Sequence, residues 1–238
     1  MASNRFERQR ELIDSLLKGV GNASDDFREF LRQCVDLAPL ETLEGSKPEA
    51  LVALARSLYD ETATLDGVLV SIRRPDGDSP MAHLSTACVD RPFLVDSMSM
   101  AVRDAGASID WLIHPVIRVE RDDQGQRLRV VPRDDDGGQE ESYIRLLFDP
   151  LANDQAYQQL EQRVHRVMAD LQAVVEDYVP MRRRVQSIIA ELKYPAPGCD
   201  EQQFAEAQAF LEWLDADHFT FLGFRQTQLI GEGEQREL

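Results

Sequence analysis

Residues 88–121 constrain the fold of this chain more than any other stretch, because their hydrophobic period changes once, from helical to strand-like. Apolar residues first recur at helical spacing, at positions 94, 98, 101, 102 and 105. From Ile109 to Val119 they occupy every second position, which is the spacing of a strand. Residues 82–88 alternate in the same way just upstream. We therefore expect a β-α-β unit with a tight turn before its helix.

The turn before this helix holds the first candidate functional residues. We expect Asp90 to be the N-cap and Pro92 to lie inside the first helical turn. Free N–H groups at a helix start favour a carboxylate or phosphate, Arg91 adds a charged donor, and the Asp90 carboxylate could hold an ammonium group. These properties would suit a free amino acid. A plain helix cap beside a surface arginine is a common arrangement and explains the same residues, so both interpretations stay open.

The first 64 residues predict an N-terminal layer of three short helices. Ser24 or Asp25 is expected to cap the second helix, and Pro48 to begin the third. The second helix has the clearest apolar stripe, formed by Phe27, Phe30, Leu31, Cys34 and Val35.

Residues 67–178 predict the order β-β-α-β-β-β-α, with one long helix that ends at Pro180. Without the first strand and one hairpin, β-α-β-β-α remains. This is the ferredoxin-like order with its final strand not evident. The predicted class is therefore α+β, an antiparallel sheet with its helices on one face.

The last part of the chain changes character. It predicts a short helix at 185–192, a linker at 194–198, a helix at 204–214 and a strand at 218–229. A lone strand needs partners, which suggests that the chain was cut within a larger protein. We expect three domains: a helical segment (1–64), a ferredoxin-like domain (65–180), and a helical linker with the start of a further domain (181–238).

Composition excludes several functional classes. The net charge is −17, from 43 acidic and 26 basic residues, which argues against binding to nucleic acid or to an anionic membrane. Three widely spaced cysteines indicate a reducing compartment, and no apolar run approaches a membrane span or a signal peptide. We expect a cytoplasmic protein.

The sequence contains no established catalytic motif. We find no phosphate-binding or dinucleotide glycine pattern and no close histidine pair. His114 is interpreted as a hydrogen-bonded structural residue. The cluster at 215–218 (DADH) is interpreted as a polar helix end rather than a metal site, because a metal needs more ligands at defined geometry. No metal and no catalytic residue are therefore predicted.

Two motifs resemble the N-terminal region of the large bacterial NAD-specific glutamate dehydrogenases. They are residues 90–97 (DRPFLVDS) with 113–115 (IHP), and residues 217–224 (DHFTFLGF). The resemblance implies a fragment of an enzyme that oxidises L-glutamate to 2-oxoglutarate and ammonia with NAD. The catalytic domain of that enzyme lies C-terminal to this region, so no cofactor is expected in the fragment itself.

The resemblance also implies an ACT-like domain, a type that commonly binds amino acids at its first strand-to-helix turn and often pairs with another ACT domain. The candidate effector site is then Asp90, Arg91, Pro92, Phe93 and Leu94. Ligand-binding ACT domains usually have a glycine where this chain has Phe93, whose ring could fill the pocket or pack into the core.

Two functions follow from these observations. The first is an allosteric sensor of an amino acid. The second, favoured because of Phe93, is an assembly module that docks other domains or subunits of the parent enzyme, with a homo-oligomer expected.

Overall fold

The computed structural model of this chain describes residues 2–36, 38, 40–77, 79–192, 194, 195, 198, 200–225 and 227. The helices are α1 (Ala2–Gly19), α2 (Asp25–Asp36), α3 (Leu40–Gly45), α4 (Pro48–Glu61), α5 (Leu94–Asp104), α6 (Asp154–Glu191) and α7 (Glu201–Trp213). The strands are β1 (Val68–Arg73), β2 (Ala82–Val89), β3 (Ile109–Ile113), β4 (Val116–Arg121), β5 (Arg127–Val130) and β6 (Gln139–Phe148). A π-helical turn covers Leu214–His218. None of the helices within the described ranges is long and apolar enough to cross a membrane.

The chain divides into two compact units, Met1–Met168 and Ala169–Leu238. The first contains all six strands and helices α1 to α5, and α6 begins in it. The domain boundaries expected near residues 64 and 180 stay predictions.

The N-terminal helical layer was largely predictable from caps and stripes. Ser24, one of two predicted caps, accepts a hydrogen bond from the backbone N–H of Phe27 at 3.2 Å. Pro48 occupies the first turn of α4. The short helix α3 was not predicted.

The six strands form one antiparallel sheet in which β6 is central. It pairs with β2 on one side and with β3 and β4 on the other, while β1 and β5 lie outside β2 and β4. Strands β2 and β3 are joined by α5 and separated by β6, which is the split β-α-β arrangement. The edge beside β2, where the ferredoxin-like order has its final strand, is occupied by β1. The strand missing from the predicted order is thus replaced by one that precedes the unit.

The long strand predicted from Ile109 to Val119 consists of two strands, β3 and β4, and this corrects the single-strand prediction. From Trp111 onward both follow one register along β6, with Ile113 opposite Arg145 and Val116 opposite Ser142. Proline at position 115 has no N–H to donate to the ladder, so the strand assignment is interrupted there. The backbone carbonyl of Pro115 still accepts a hydrogen bond from Tyr143 at 2.9 Å.

Both faces of the sheet are covered by helices. The N-terminal layer buries one face, where Phe27, Phe30, Leu31, Ile117, Val119 and Tyr143 share one apolar cluster. On β6 the alternate residues Ile144, Leu146 and Phe148 are buried on the other face. Helix α5 packs against β3 and β6, and buries Leu94, Met98, Ala101 and Val102. Helix α5 therefore lies on one face of the sheet and the N-terminal layer on the other.

In the second unit two predictions were wrong. Helix α6 does not end at Pro180 and the helix expected at 185–192 is not separate, because α6 continues through the proline to Glu191. A proline removes only one backbone donor, and the turns on both sides remain helical. The strand predicted at 218–229 is also wrong where it is described, since residues 219–225 and 227 are not in a strand. A strand needs a pairing partner, and no described strand pairs with this segment. Residues 226, 228 and 229 lie outside the described residues, as do residues 196 and 197 of the predicted linker.

Candidate functional site

The candidate site is the turn that joins β2 to α5. Strand β2 ends at Val89 and α5 begins at Leu94. The N-cap is Phe93, and no side chain caps this helix. The predictions that Asp90 caps the helix and that Pro92 lies within its first turn are therefore wrong. Asp90 instead continues the sheet, because its backbone N–H donates to the carbonyl of Glu140 at 2.8 Å.

Phe93 has a left-handed backbone conformation, with φ of 68°. This region suits glycine and strains a bulky residue, at an order-of-magnitude cost of about 1–3 kcal/mol. The side chain is 47% exposed, so the interpretation that Phe93 packs into the core is wrong. The position keeps the backbone geometry that a glycine would adopt, but it presents a half-exposed ring. Leu94, the next residue, is buried and anchors the helix start.

Arg91 and Asp90 place opposite charges at the end of β2. The Arg91 Nε donates to the carbonyl of Val89 at 3.3 Å, and both side chains are half-buried. Cys88 is buried just before them, and burial raises the pKa of its thiol to about 11. The thiol is therefore protonated at neutral pH, and Cys88 behaves as a small buried hydrophobe.

His114 lies beside this turn and shares a hydrogen bond with the buried hydroxyl of Ser142. Burial lowers the pKa of His114, and the carboxylate of Asp90 partly offsets that effect. The imidazole is thus held neutral within electrostatic reach of Asp90. The predicted hydrogen bond of His114 is confirmed, and its structural role stays a prediction.

The turn offers backbone hydrogen-bond donors and charged side chains, which are the groups that a polar ligand would need. No side chain caps the N–H groups at the start of α5, so these groups are free of a cap and could donate hydrogen bonds to an anion. Arg91 and Asp90 add one charge of each sign. Of the five predicted site residues, Leu94 is buried and can offer only its backbone. Across the described residues, no three His, Cys, Asp or Glu side chains are grouped to hold a metal ion. Asp215 and Asp217 instead pair with Arg182, at 2.9 and 3.2 Å.

Sequence reasoning missed a buried polar network between the sheet and the N-terminal layer. Arg145 on β6 contacts Glu61 of α4 at 2.9 Å and Ser85 of β2 at 3.0 Å. Arg121 on β4 pairs with Glu141 of β6 at 2.6 Å. Burial lowers the pKa of Arg145, and Glu61 acts against that shift. Charged residues such as Glu141 and Arg145 are typical of the solvent-facing side of a strand, so only the covering helical layer reveals that they are buried.

Comparisons with known proteins identify similar sequences in one enzyme family. Residues 30–164 match the family described as "Glutamate dehydrogenase, ACT1 domain". The chain is 27% identical to an NAD-specific glutamate dehydrogenase of Pseudomonas aeruginosa, over 98% of the chain and 15% of that protein. It is 28% identical to one of Halomonas elongata, over 83% of the chain and 13% of that protein. A third, of Mycobacterium tuberculosis, is 24% identical over 59% of the chain and 9% of its own length.

The chain therefore spans a small part of these relatives, and the matched range includes the whole sheet and the turn at Asp90. Because the match covers more than half of the chain, we conclude that the chain belongs to the glutamate dehydrogenase ACT1 domain family.

Proposed function

We propose that this chain is the non-catalytic N-terminal region of an NAD-specific glutamate dehydrogenase, and that it docks other domains or subunits of that enzyme. The observation that carries the proposal is the ACT1 family match across the whole sheet and helices α3 to α5. The two relatives that align over most of the chain are NAD-specific glutamate dehydrogenases several times longer than this chain.

In this proposal the parent enzyme oxidises L-glutamate with NAD and water, giving 2-oxoglutarate, ammonia and NADH. NAD binds to a part of the parent outside this chain. We further propose that the parent is a cytoplasmic homo-oligomer; the sparse cysteines of this chain suit a reducing compartment.

The chemistry of the described groups favours docking over catalysis. The buried carboxylates of Glu61 and Glu141 are engaged by arginines, and the buried hydroxyl of Ser142 by His114. The cysteines at 34 and 88 are buried, and burial raises the pKa of both thiols. These groups hold the fold together and are not available to a substrate.

The proposal is tested by deleting residues 1–180 from the full-length parent and comparing assembly and activity with the intact enzyme. We expect the oligomeric state to change in sedimentation analysis while the remainder still binds NAD. The 238-residue chain alone should form no NADH from glutamate and NAD. NADH formation by the chain, or an unchanged oligomer after the deletion, would overturn the proposal.

A second candidate function is an allosteric sensor that binds a free amino acid at Asp90–Leu94. The observation that favours it is the uncapped start of α5 beside Arg91, with Phe93 already in a glycine-like conformation. Isothermal titration of the chain with the standard amino acids tests it. We expect Arg91→Ala to abolish the binding heat, whereas Arg103→Ala, at the exposed opposite end of α5, should retain it. The absence of heat from every amino acid would exclude this function.

A further inference from the structure

Glu61, the last residue of α4, connects that helix to two strands of the sheet. Its carboxylate accepts hydrogen bonds from Arg73 of β1 at 2.7 Å and from Arg145 of β6 at 2.9 Å. Ser57, one turn earlier in α4, donates to the same carboxylate at 2.8 Å. We name Ser57, Glu61, Arg73 and Arg145 the Glu61 cluster. In this cluster one carboxylate balances two guanidinium groups.

His83 lies on β2, the strand between β1 and β6, and faces the Glu61 cluster. It pairs with Arg73 across the β1–β2 ladder, and Ser85, two positions further along β2, pairs with Arg145. Residues that lie opposite each other or two positions apart share one face of a sheet, so His83 lies on the same face as both arginines. Its Nε2 atom is buried and has no hydrogen-bond partner among the described residues.

The surroundings of His83 oppose its protonation. Burial is the largest cause of its lowered pKa, and the positive charges of Arg145 and Arg73 lower the pKa further. The carboxylates of Glu61 and Asp76 act in the opposite direction. A protonated imidazole would carry a buried Nε2–H that needs an acceptor, and it would be a third cation beside a carboxylate that two arginines already share.

We propose that protonation of His83 breaks the Glu61 cluster and loosens the outer strand β1. In the open state the imidazole is solvated and has its ordinary pKa of 6.5. The equilibrium constant for opening then increases by about tenfold for each pH unit below 6.5, until the lowered pKa is reached. Above pH 6.5 it no longer changes with pH. This inference does not depend on the proposed docking function, because it concerns a contact within the chain.

The strand β1, and not α4, is the part that loosens. The end of α4 is held independently of Glu61, because Arg127 donates to the backbone carbonyl of Tyr59 at 2.8 Å. Within the described part of the chain, β1 pairs with β2 alone, and the side chain of Arg73 is 54% exposed. Loss of the Glu61 contact therefore frees β1 from α4 while the helix stays in place.

The first test is hydrogen exchange at the backbone N–H groups of β1 in the 238-residue chain, corrected for the intrinsic exchange rate. Between pH 6.5 and the lowered pKa, protection should fall by about tenfold per pH unit. In His83→Gln, which cannot be protonated, this pH slope should vanish whatever the absolute protection. His165→Gln, at an exposed position of α6, should keep it. A slope retained in His83→Gln would overturn the inference, and so would a parallel loss of near-ultraviolet circular dichroism, which marks unfolding of the whole chain.

The second test follows His83 itself, by NMR titration of its imidazole. Arg73→Gln removes one of the two positive charges that lower the pKa of His83 and leaves the Glu61 carboxylate less neutralised, so the midpoint should move toward 6.5. Arg74→Gln is the matched control, since Arg74 pairs instead with Asp154 at 2.6 Å, and it should leave the midpoint unchanged. A midpoint that Arg73→Gln does not move, or that both variants move equally, would overturn the placement of His83 beside the Glu61 cluster.

Discussion

The guanidinium of Arg145 lies 2.9 Å from the carboxylate of Glu61, and this ion pair links the centre of the sheet to the end of α4. Both side chains are largely buried, with 8% and 15% of their surface exposed. The N-terminal layer excludes water from both charged groups, and each group is then stabilised by the other instead of by water. Its loss leaves one charge buried without its partner.

We therefore expect Glu61→Ala to lower the free energy of unfolding by about 3–5 kcal/mol, measured by chemical denaturation. Glu140→Ala is the matched control, because Glu140 also pairs with an arginine but is 51% exposed, and it should cost less than about 1 kcal/mol. Equal losses in the two variants would contradict a buried role for Glu61.

Phe93→Gly should leave the free energy of unfolding unchanged or raise it by up to about 1 kcal/mol, because glycine relieves the left-handed strain. Met100→Gly, at a position 59% exposed within α5, should instead lower stability by about 1 kcal/mol. Thermal unfolding of both variants distinguishes strain at Phe93 from ordinary helix propensity, and a lower midpoint for Phe93→Gly would point to packing.

Stability should decrease as the pH falls below 6.5. Burial lowers the pKa of His83 and of His114 below that ordinary value, and for His83 Arg145 and Arg73 add to the effect. The unfolded chain then binds more protons than the folded chain in the window between the lowered pKa values and 6.5. The stabilisation that these two histidines contribute is therefore fully present above pH 6.5. It is lost as the pH falls from 6.5 to the lowered pKa values.

The measurement for this effect is the free energy of unfolding across that window. Combined His83→Gln and His114→Gln should flatten the pH slope, whatever the stability of the variant at neutral pH. His165→Gln, at an exposed position of α6, should leave the slope unaltered. A slope retained in the double variant would assign the pH dependence to other groups.

The reactivity of the two buried cysteines, Cys34 and Cys88, tests whether the folded chain keeps them inaccessible. Cys34 lies in the cluster beneath the N-terminal layer and Cys88 on β2, and burial raises the pKa of both, to about 11 for Cys88. In a Cys199→Ser variant we expect no rapid reaction with a thiol reagent in the folded state and two reactive thiols after denaturation. A fast-reacting thiol in the native chain would show that one of these cores opens.

Much of the fold could be predicted from local patterns. Alternation located the strands, and the caps at Ser24 and Pro48 placed two helices to within a residue or two. The helix end predicted at Pro180 was wrong. A proline removes one backbone hydrogen bond, and the helical turns on both sides of it can continue. The C-terminal strand was overpredicted because β-propensity describes side chains, while a strand also needs a neighbour.

The sequence identified the position of the candidate site but did not predict its geometry. The motif at 90–94 identified the turn, and the resemblance identified its family. The N-cap was misplaced by three residues because Asp90 is held by the backbone of Glu140, a residue distant in sequence. The left-handed conformation of Phe93 could not be inferred either, since a phenylalanine rarely adopts it.

By itself, the sequence determined the class of fold, the order of most elements and the family, because these depend on local periodicity and short motifs. Only the tertiary structure decided that β1 fills the edge beside β2 and that the N-terminal helices cover the second face of the sheet. The physical reason is that covering this face turns alternating charged residues such as Glu141 and Arg145 from expected solvent contacts into buried ion pairs. Burial depends on what packs above a residue, and the spacing of a strand does not contain that information.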